Sequence, residues 1–319
     1  MNILVWHVHG SWMTAFIHGR HRYLVPVDDE RGPYGLGRAR TYRWPYSAVE
    51  VTPDELASTD IDVVVLQRPE ELPLARAWLG DRNVPTVYVE HNTPKGDVPS
   101  TRHPMADRDD VRLVHVTHFN ELFWDNGATR TAVIEHGIVP PVAEYSGDLE
   151  RIAIVTNEPV RRGRVTGTDL MGRFGPVAPL DVFGMGTDGL PDALGLSPDT
   201  IATYNASQDE MHTEIARRRL YLHLTRWTSL GLSLIEAMAI GLPVVALATT
   251  EVVRAVPEGA GIVSTKVDDL VDAARWLIED PDAAQRLGQA GSAAAKERYD
   301  LDRFLFDWDR LLEETCTSR

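Results

Sequence analysis

Short apolar runs rich in valine and isoleucine recur along the chain, and most are continuous rather than alternating. Continuous apolar strands are typical of parallel sheets that helices cover on both faces. Segments with helical spacing lie between many of the runs, so the pattern predicts an α/β fold. The predicted strands are 3–8, 63–66, 86–89, 113–116, 132–134, 152–155, 180–183, 201–204, 220–224, 243–247 and 261–263. The predicted helices between them are 70–79, 119–126, 209–218, 232–240 and 268–278.

The alternation of strand and helix breaks near the middle of the chain, at residues 136–141. A length of 319 residues suggests two domains, and each half holds five or six predicted strands. We therefore predict an N-terminal Rossmann-like domain at 1–145 and a C-terminal one at 146–300, both doubly wound. A last helix, 301–319, is predicted to brace the two domains.

One segment, 26–45, has no clear period and is long for a loop without regular structure. It is rich in glycine and proline and ends in arginine, tyrosine and tryptophan between Arg38 and Trp44. Two interpretations stay open, because these side chains could contact an acceptor molecule or the segment could be a mobile lid.

Composition excludes several classes of protein. The net charge is −15, which disfavours nucleic acid and anionic membranes as partners. The single cysteine, Cys316, excludes an intrachain disulfide and a cysteine-based metal cluster. No apolar run approaches the roughly 20 residues that span a bilayer, and residues 1–6 lack the basic flank of a signal peptide. We therefore expect a cytoplasmic protein without an integral membrane segment.

The most informative segment is 226–246, which contains a strand end, a turn of small residues, a helix, a Gly-Leu-Pro stop and another strand. Thr228 or Ser229 is predicted to cap the helix, whose first free amides would form an anion site. Glu236 follows about one turn later, where its carboxylate could accept two hydrogen bonds from a ribose diol. Alternatively, Glu236 only complements the helix dipole.

This segment resembles the donor-site signature of retaining GT-B glycosyltransferases of family 4. In that signature a Glu, seven residues and a second Glu precede Ala-Met-Ala-x-Gly-x-Pro-Val-Val. The resemblance implies two Rossmann-like domains that face across a cleft, with a nucleotide sugar bound mostly by the C-terminal one. Glu236 matches the second Glu, which binds ribose hydroxyls in the family, whereas Thr228 replaces the first Glu, which helps to hold the donor sugar.

The same resemblance, carried over position by position, implies further donor-binding residues. Ser229, Leu230, Gly231 and Leu232 take the place of the family's Gly-Phe-Gly turn and the residue after it, and Asn157 takes the place of a phosphate-binding arginine. His91 follows a predicted strand, as the family's active-site histidine does. The remaining implied positions are Gly10 and Ser11 in the first loop and Tyr204 and Asn205 in the loop that contacts the base.

Arg161, Arg162 and Arg164 form the strongest basic cluster in the chain, between a strand and the next element. Guanidinium groups at this point could neutralise a departing diphosphate. We favour Arg162, which takes the place of the family's lysine, and then Arg161. The alternative is a solvated basic turn.

Together these residues predict a hexosyl-type glycosyltransferase that moves a sugar from a nucleoside diphosphate sugar to a hydroxyl of a glycan or small-molecule acceptor. Retention of configuration is implied by the resemblance, and we expect no metal and no cofactor besides the donor. Two alternatives remain: a GT-B epimerase or hydrolase of nucleotide sugars, and a protein that binds nucleotide sugars without catalysis.

Overall fold

The computed structural model describes residues 1–80 and 82–317. The chain divides into two units, and we describe each by itself. The first unit comprises Met1–Val139 together with the C-terminal segment that starts at Leu301, and the second unit comprises Pro140–Asp300. The last helix therefore belongs to the first unit.

The first unit is built on a parallel sheet. Its strands are β1 (Asn2–Val5), β2 (Arg22–Pro26), β3 (Ala48–Val51), β4 (Val63–Leu66), β5 (Thr86–Glu90), β6 (Arg112–His115) and β7 (Thr131–Val133). Its helices are α1 (Gly10–Phe16), α2 (Pro53–Leu56), α3 (Glu71–Leu79), α4 (His118–Phe123) and α12 (Leu301–Thr317). The strand order is β3-β2-β1-β4-β5-β6-β7, so the order reverses between β1 and β4.

The second unit is built on a second parallel sheet. Its strands are β8 (Leu149–Val155), β9 (Leu180–Phe183), β10 (Ile201–Tyr204), β11 (Arg218–His223), β12 (Val244–Leu247) and β13 (Ile262–Ser264). Its helices are α5 (Pro159–Arg162), α6 (Leu190–Leu194), α7 (Gln208–Ile215), α8 (Leu232–Ile240), α9 (Val252–Ala255), α10 (Val267–Glu279) and α11 (Pro281–Arg298), and two 3₁₀ helices lie at Gly163–Val165 and Thr168–Arg173. The strand order is β10-β9-β8-β11-β12-β13, which reverses between β8 and β11.

The apolar pattern explains both cores. All four residues of β4 and of β12 are buried, because helices cover these central strands on both faces. The helices bury one stripe each, as Leu270, Ala273, Ala274 and Leu277 do on α10. The predicted α/β fold with two doubly wound parallel sheets is confirmed.

Two strands of the first unit were not predicted, β2 and β3. The five residues of β2 end in a proline, and the four residues of β3 include Glu50, so neither gives a continuous apolar run. Both lie on the side of the sheet away from β4, where β3 has a neighbour on only one flank.

Candidate active site

The carboxyl edge of the second sheet brings several predicted residues together at the point where the strand order reverses. Ligands of open α/β sheets bind at this kind of point. The segments that follow β8 and β11 contact each other there, since the amide of Arg226 donates to the carbonyl oxygen of Val165 over 2.8 Å. Gly167 approaches so closely that a Cβ atom would lie 2.0 Å from the carbonyl oxygen of Leu224.

Glu236 lies on α8, directly after this edge, and only 4% of the residue is exposed. Two side chains of α7 hold its carboxylate: Gln208 Nε2 donates to Oε1 over 2.9 Å, and His212 Nε2 lies 3.2 Å from Oε2. A capping box of Ser207 and Glu210 fixes the start of α7. Each carboxylate oxygen can accept more than one hydrogen bond, so Glu236 is oriented but keeps capacity for a ligand.

The predicted cap of α8 is wrong. The N-cap residue is Gly231 rather than Thr228 or Ser229, and a glycine has no side chain with which to cap the helix. The turn continues through Ser229 and Leu230, both buried, so the helix begins only at Leu232. The first amides of a helix are the groups that an anion at this end would contact.

Gly231 packs closely against the ring of His223, which leaves little room for a side chain. A Cβ atom on it would lie 2.9 Å from Cε1 of His223, which ends β11. His223 is buried, and its Nε2 has no hydrogen-bond partner among the described residues. Burial lowers the pKa of His223 to about 4, so the imidazole is neutral at pH 7.

The three clustered arginines differ in their partners. Arg161 Nε donates to Glu158 over 2.6 Å, and Arg164 pairs with Asp169 at 3.0 Å. The half-buried guanidinium of Arg162 has no acceptor within residues 1–80 and 82–317. Burial, followed by the neighbouring charge of Arg161, lowers the pKa of Arg162. An arginine that lacks a carboxylate partner gains most from an incoming diphosphate.

The other predicted donor residues of the second unit have mixed surroundings. Asn157 Oδ1 accepts from the amide of Met185 over 2.9 Å and so joins the loops after β8 and β9. Tyr204 stacks on Phe183 with ring centroids 4.8 Å apart and is 37% exposed. Asn205 follows it in an exposed loop, whereas Thr228 is half-buried in the turn before α8.

The first unit carries His91 at the carboxyl end of β5. Its ring lies 4.1 Å from the ring of His9 and 4.9 Å from the ring of Trp12, measured between centroids. Burial is the main cause that holds the pKa of His91 well below its usual range. His91 Nε2 is buried and has no partner among the described residues.

Gly10 and Ser11 begin α1 in the same unit, and the aromatic ring of Tyr42 covers them. A Cβ atom on Gly10 would lie 2.6 Å from Cε2 of Tyr42, and Ser11 Oγ lies 3.5 Å from the Tyr42 hydroxyl. The first loop therefore meets residue 42 rather than open solvent.

The segment 26–45 is held by its own contacts. The guanidinium of Arg38 donates to the carbonyl oxygens of Trp44 over 2.7 Å and of Pro45 over 3.0 Å. Trp44 is buried, and its Nε1 donates to Thr14 over 2.9 Å. Arg38 and Trp44 thus contribute to the fold of this segment.

Sequence reasoning missed Gln208 and His212 as partners of Glu236, and His223 beside Gly231. The helix that carries the first two was expected, but periodicity alone does not say which strand end it faces. Among the described residues, no group of three His, Cys, Asp or Glu side chains could hold a metal ion. No described helix combines the length and apolar character that a membrane crossing needs.

Comparisons with known proteins give a family match over part of the chain. Residues 185–294, about a third of the chain, match the family profile described as "Glycosyl transferases group 1". This range includes Tyr204, the turn before α8 and Glu236, but not the arginine cluster. A search of curated proteins gave no match.

Solved structures match over the whole chain. Sucrose-phosphate synthase from Thermosynechococcus elongatus is 14% identical, with a TM-score of 0.75 and 100% of each chain covered. Anabaena Alr3699/HepE in complex with UDP-glucose is 15% identical, with a TM-score of 0.70 and 100% of each chain covered. A glycosyltransferase from Rickettsia africae is 12% identical, with a TM-score of 0.67, and covers 100% of this chain and 99% of its own. Identities this low establish the fold alone, and that fold is GT-B.

Proposed function

We propose that the chain is a glycosyltransferase that transfers a hexosyl group from a nucleoside diphosphate sugar to an acceptor hydroxyl with retention of configuration. The family match over 185–294 supports this activity, and so does the fold shared with glycosyltransferases. The similar HepE structure contains UDP-glucose, which makes uridine diphosphate sugars the first donors to test.

The observation that carries the proposal is the buried carboxylate of Glu236, which Gln208 and His212 hold in place. Glu236 lies on α8, the helix that follows β11, and the strand order reverses between β8 and β11. A carboxylate buried at 4% exposure, with lone pairs left over, fits a ribose diol. The first amides of α8 and the guanidinium of Arg162, which has no carboxylate partner among the described residues, would bind the diphosphate.

The transfer step balances without a protein nucleophile. The bond between the anomeric carbon and the phosphate oxygen breaks, and a bond from the acceptor oxygen to the same carbon forms on the same face. The acceptor proton passes to the departing phosphate oxygen. Arg162 and the α8 amides would stabilise the charge that develops on the diphosphate, and His91 would hydrogen-bond the donor sugar. No step calls for a metal ion.

Thr228 favours a second candidate, a protein that binds nucleotide sugars without transfer, because it stands in place of the family's first Glu. We also propose a cytoplasmic location, which the single cysteine supports.

Incubation with a panel of UDP-, GDP- and dTDP-sugars separates these functions. Release of nucleotide that accelerates with an added glycan acceptor supports transfer. Release that no acceptor accelerates indicates hydrolysis, and conversion of the sugar indicates epimerisation. Thermal stabilisation without turnover supports the binding protein, and no binding of any nucleotide contradicts both candidates.

A further inference from the structure

The carboxyl edge of the first sheet carries a second cluster of polar groups. His9 follows β1, Arg68 follows β4, His91 follows β5 and His136 follows β7. The strands are parallel, so these four residues lie at one edge of one sheet. Open α/β sheets bind ligands at this place.

His9 connects the members of the cluster. Its ring stacks 4.1 Å from that of His91. After burial, the charge of Arg68 is the next cause that lowers the pKa of His9, to about 4. After burial, the charge of His9 is also the next cause that lowers the pKa of both His91 and His136.

Three nitrogen atoms of the cluster are buried and unpartnered among the described residues: Arg68 Nη2, His91 Nε2 and His136 Nδ1. Buried polar atoms of folded proteins are normally hydrogen-bonded, and an unpartnered one calls for a reason. Three around one histidine indicate a ligand that accepts several hydrogen bonds at once.

Arg68 is already oriented for such a ligand. Its Nε donates to Glu71 over 2.7 Å, and its guanidinium carbon lies 4.4 Å above the ring of Tyr34. Glu71 also accepts from the amide of Gln67 over 2.6 Å, so the carboxylate that bonds Arg68 Nε is itself held in place. The side chain of Arg68 is 25% exposed, so part of it reaches solvent.

His136 is positioned from its backbone. Arg303 of α12 donates to the carbonyl oxygens of Glu135 over 3.1 Å and of His136 over 2.5 Å. These bonds fix the backbone of the segment after β7, while the imidazole nitrogen Nδ1 has no partner in the part of the chain that the structure describes.

We propose that His9, Arg68, His91 and His136 of the first unit form a site for an oxyanion, a phosphate or a carboxylate, which the acceptor carries. That the anion belongs to an acceptor rests on the proposed glycosyl transfer, whereas the anion site itself rests on the residues described above. A phosphate or carboxylate presents only hydrogen-bond acceptors, and a fixed arginine and imidazole N–H groups match them better than they match a single hydroxyl.

The direct test is calorimetric titration of the full chain with inorganic phosphate, carried out in an Arg162→Gln background that weakens the second unit's anion site. We expect Arg68→Gln to weaken phosphate binding by about 10-fold or more, and His136→Gln by a smaller factor. Arg76→Gln removes an exposed arginine of the same helix region, paired with Asp110, and should leave binding unchanged. His136→Gln does not touch Glu71, so it tests the site even where Arg68→Gln misfolds.

The acceptor arm compares glucose, glucose 6-phosphate and glucuronate with the donor that the panel identifies. Arg68→Gln should raise KM about 10-fold for the anionic acceptor, phosphorylated or carboxylated, whereas the control Arg76→Gln should leave this KM unchanged. The proposal is overturned if phosphate binds both variants as tightly as it binds the parent, or if phosphate does not bind the parent. It is also overturned if the parent uses neutral and anionic acceptors equally well. A chain that turns over no nucleotide sugar contradicts the glycosyl transfer, while the phosphate titration still decides the anion site.

Discussion

Arg161, Arg162 and Arg164 stand within four positions, yet their surroundings set different roles. Glu158 and Asp169 neutralise the outer two, whereas Arg162 has no carboxylate partner in the part of the chain that the structure describes. Composition identified the cluster, and only the placement of the acids separates its members. The resemblance favours Arg162 as the residue that contacts the diphosphate, and this contact pattern is an independent reason to favour it.

Arg162→Gln should therefore weaken nucleoside diphosphate binding more than Arg161→Gln does. We expect a loss of about 1.5–3 kcal/mol for Arg162, since a charge-assisted bond to phosphate is lost, and less than 0.5 kcal/mol for Arg161. Calorimetric titration with UDP, GDP and dTDP measures both. Equal losses would show that the two guanidinium groups share the anion.

Glu236→Ala should cost about 2–4 kcal/mol of nucleoside diphosphate affinity, because two charge-assisted hydrogen bonds to ribose disappear. Glu297→Ala is the matched control, since Glu297 is an exposed glutamate of α11. The same titration reports the affinity, and thermal unfolding checks that Gln208 and His212 tolerate the lost carboxylate. Unchanged affinity would remove Glu236 from the site.

The elements show what the apolar pattern could and could not predict. Continuous runs located eleven strands because central parallel strands are buried on both faces, as β4 and β12 are. The apolar pattern missed β2 and β3. The sequence also misplaced the cap of α8, because the close approach between Gly231 and His223 is a tertiary contact with no local signal. Glu236 was found from the resemblance, while its partners on α7 were not.

Helices α8 and α11 meet where two glycines face each other. A Cβ atom on Gly288 of α11 would lie 1.9 Å from the carbonyl oxygen of Gly241, which ends α8 with a φ of 100°. Backbone atoms cannot rotate aside, so any side chain at 288 must push the two helices apart.

Gly288→Ala should therefore destabilise the second unit by about 1–3 kcal/mol, although alanine favours helices by about 1 kcal/mol over glycine. Gly172→Ala is the control, because no atom lies within 4 Å of its added Cβ. Differential scanning calorimetry of the full chain measures the shift. A Gly288→Ala protein as stable as the parent would mean that α11 moves freely on α8.

At the scale of the whole molecule, an acidic chain of net charge −15 buries several histidines in the neutral state. Burial lowers the pKa of His115 and of His223 to about 4, and that of His136 to about 3. These residues lie in both units, so both should respond to acid. Carboxylates whose pKa is lowered by ion pairs, such as Asp169, lose their contribution only at lower pH.

The sign of the effect follows from proton binding. Between pH 6.5 and pH 4 the unfolded chain protonates these imidazoles while the folded chain does not, so the free energy of unfolding falls as the pH falls. Each buried histidine accounts for about 2–3 kcal/mol over this window. Glu71, whose pKa burial raises, acts in the opposite direction.

His223→Leu should flatten this decline in the second unit, since leucine fills the space without a group to protonate. Calorimetric unfolding of the full chain at pH 7.5, 6 and 5 measures how the free energy of unfolding depends on pH. We expect the free energy of unfolding of the variant to rise relative to that of the parent as the pH falls. His118→Leu, at an exposed position, should keep the parent slope. If His223→Leu and the parent lose stability in parallel, then His223 takes up its proton in the folded state, and the space beside Gly231 is wetter than its burial indicates.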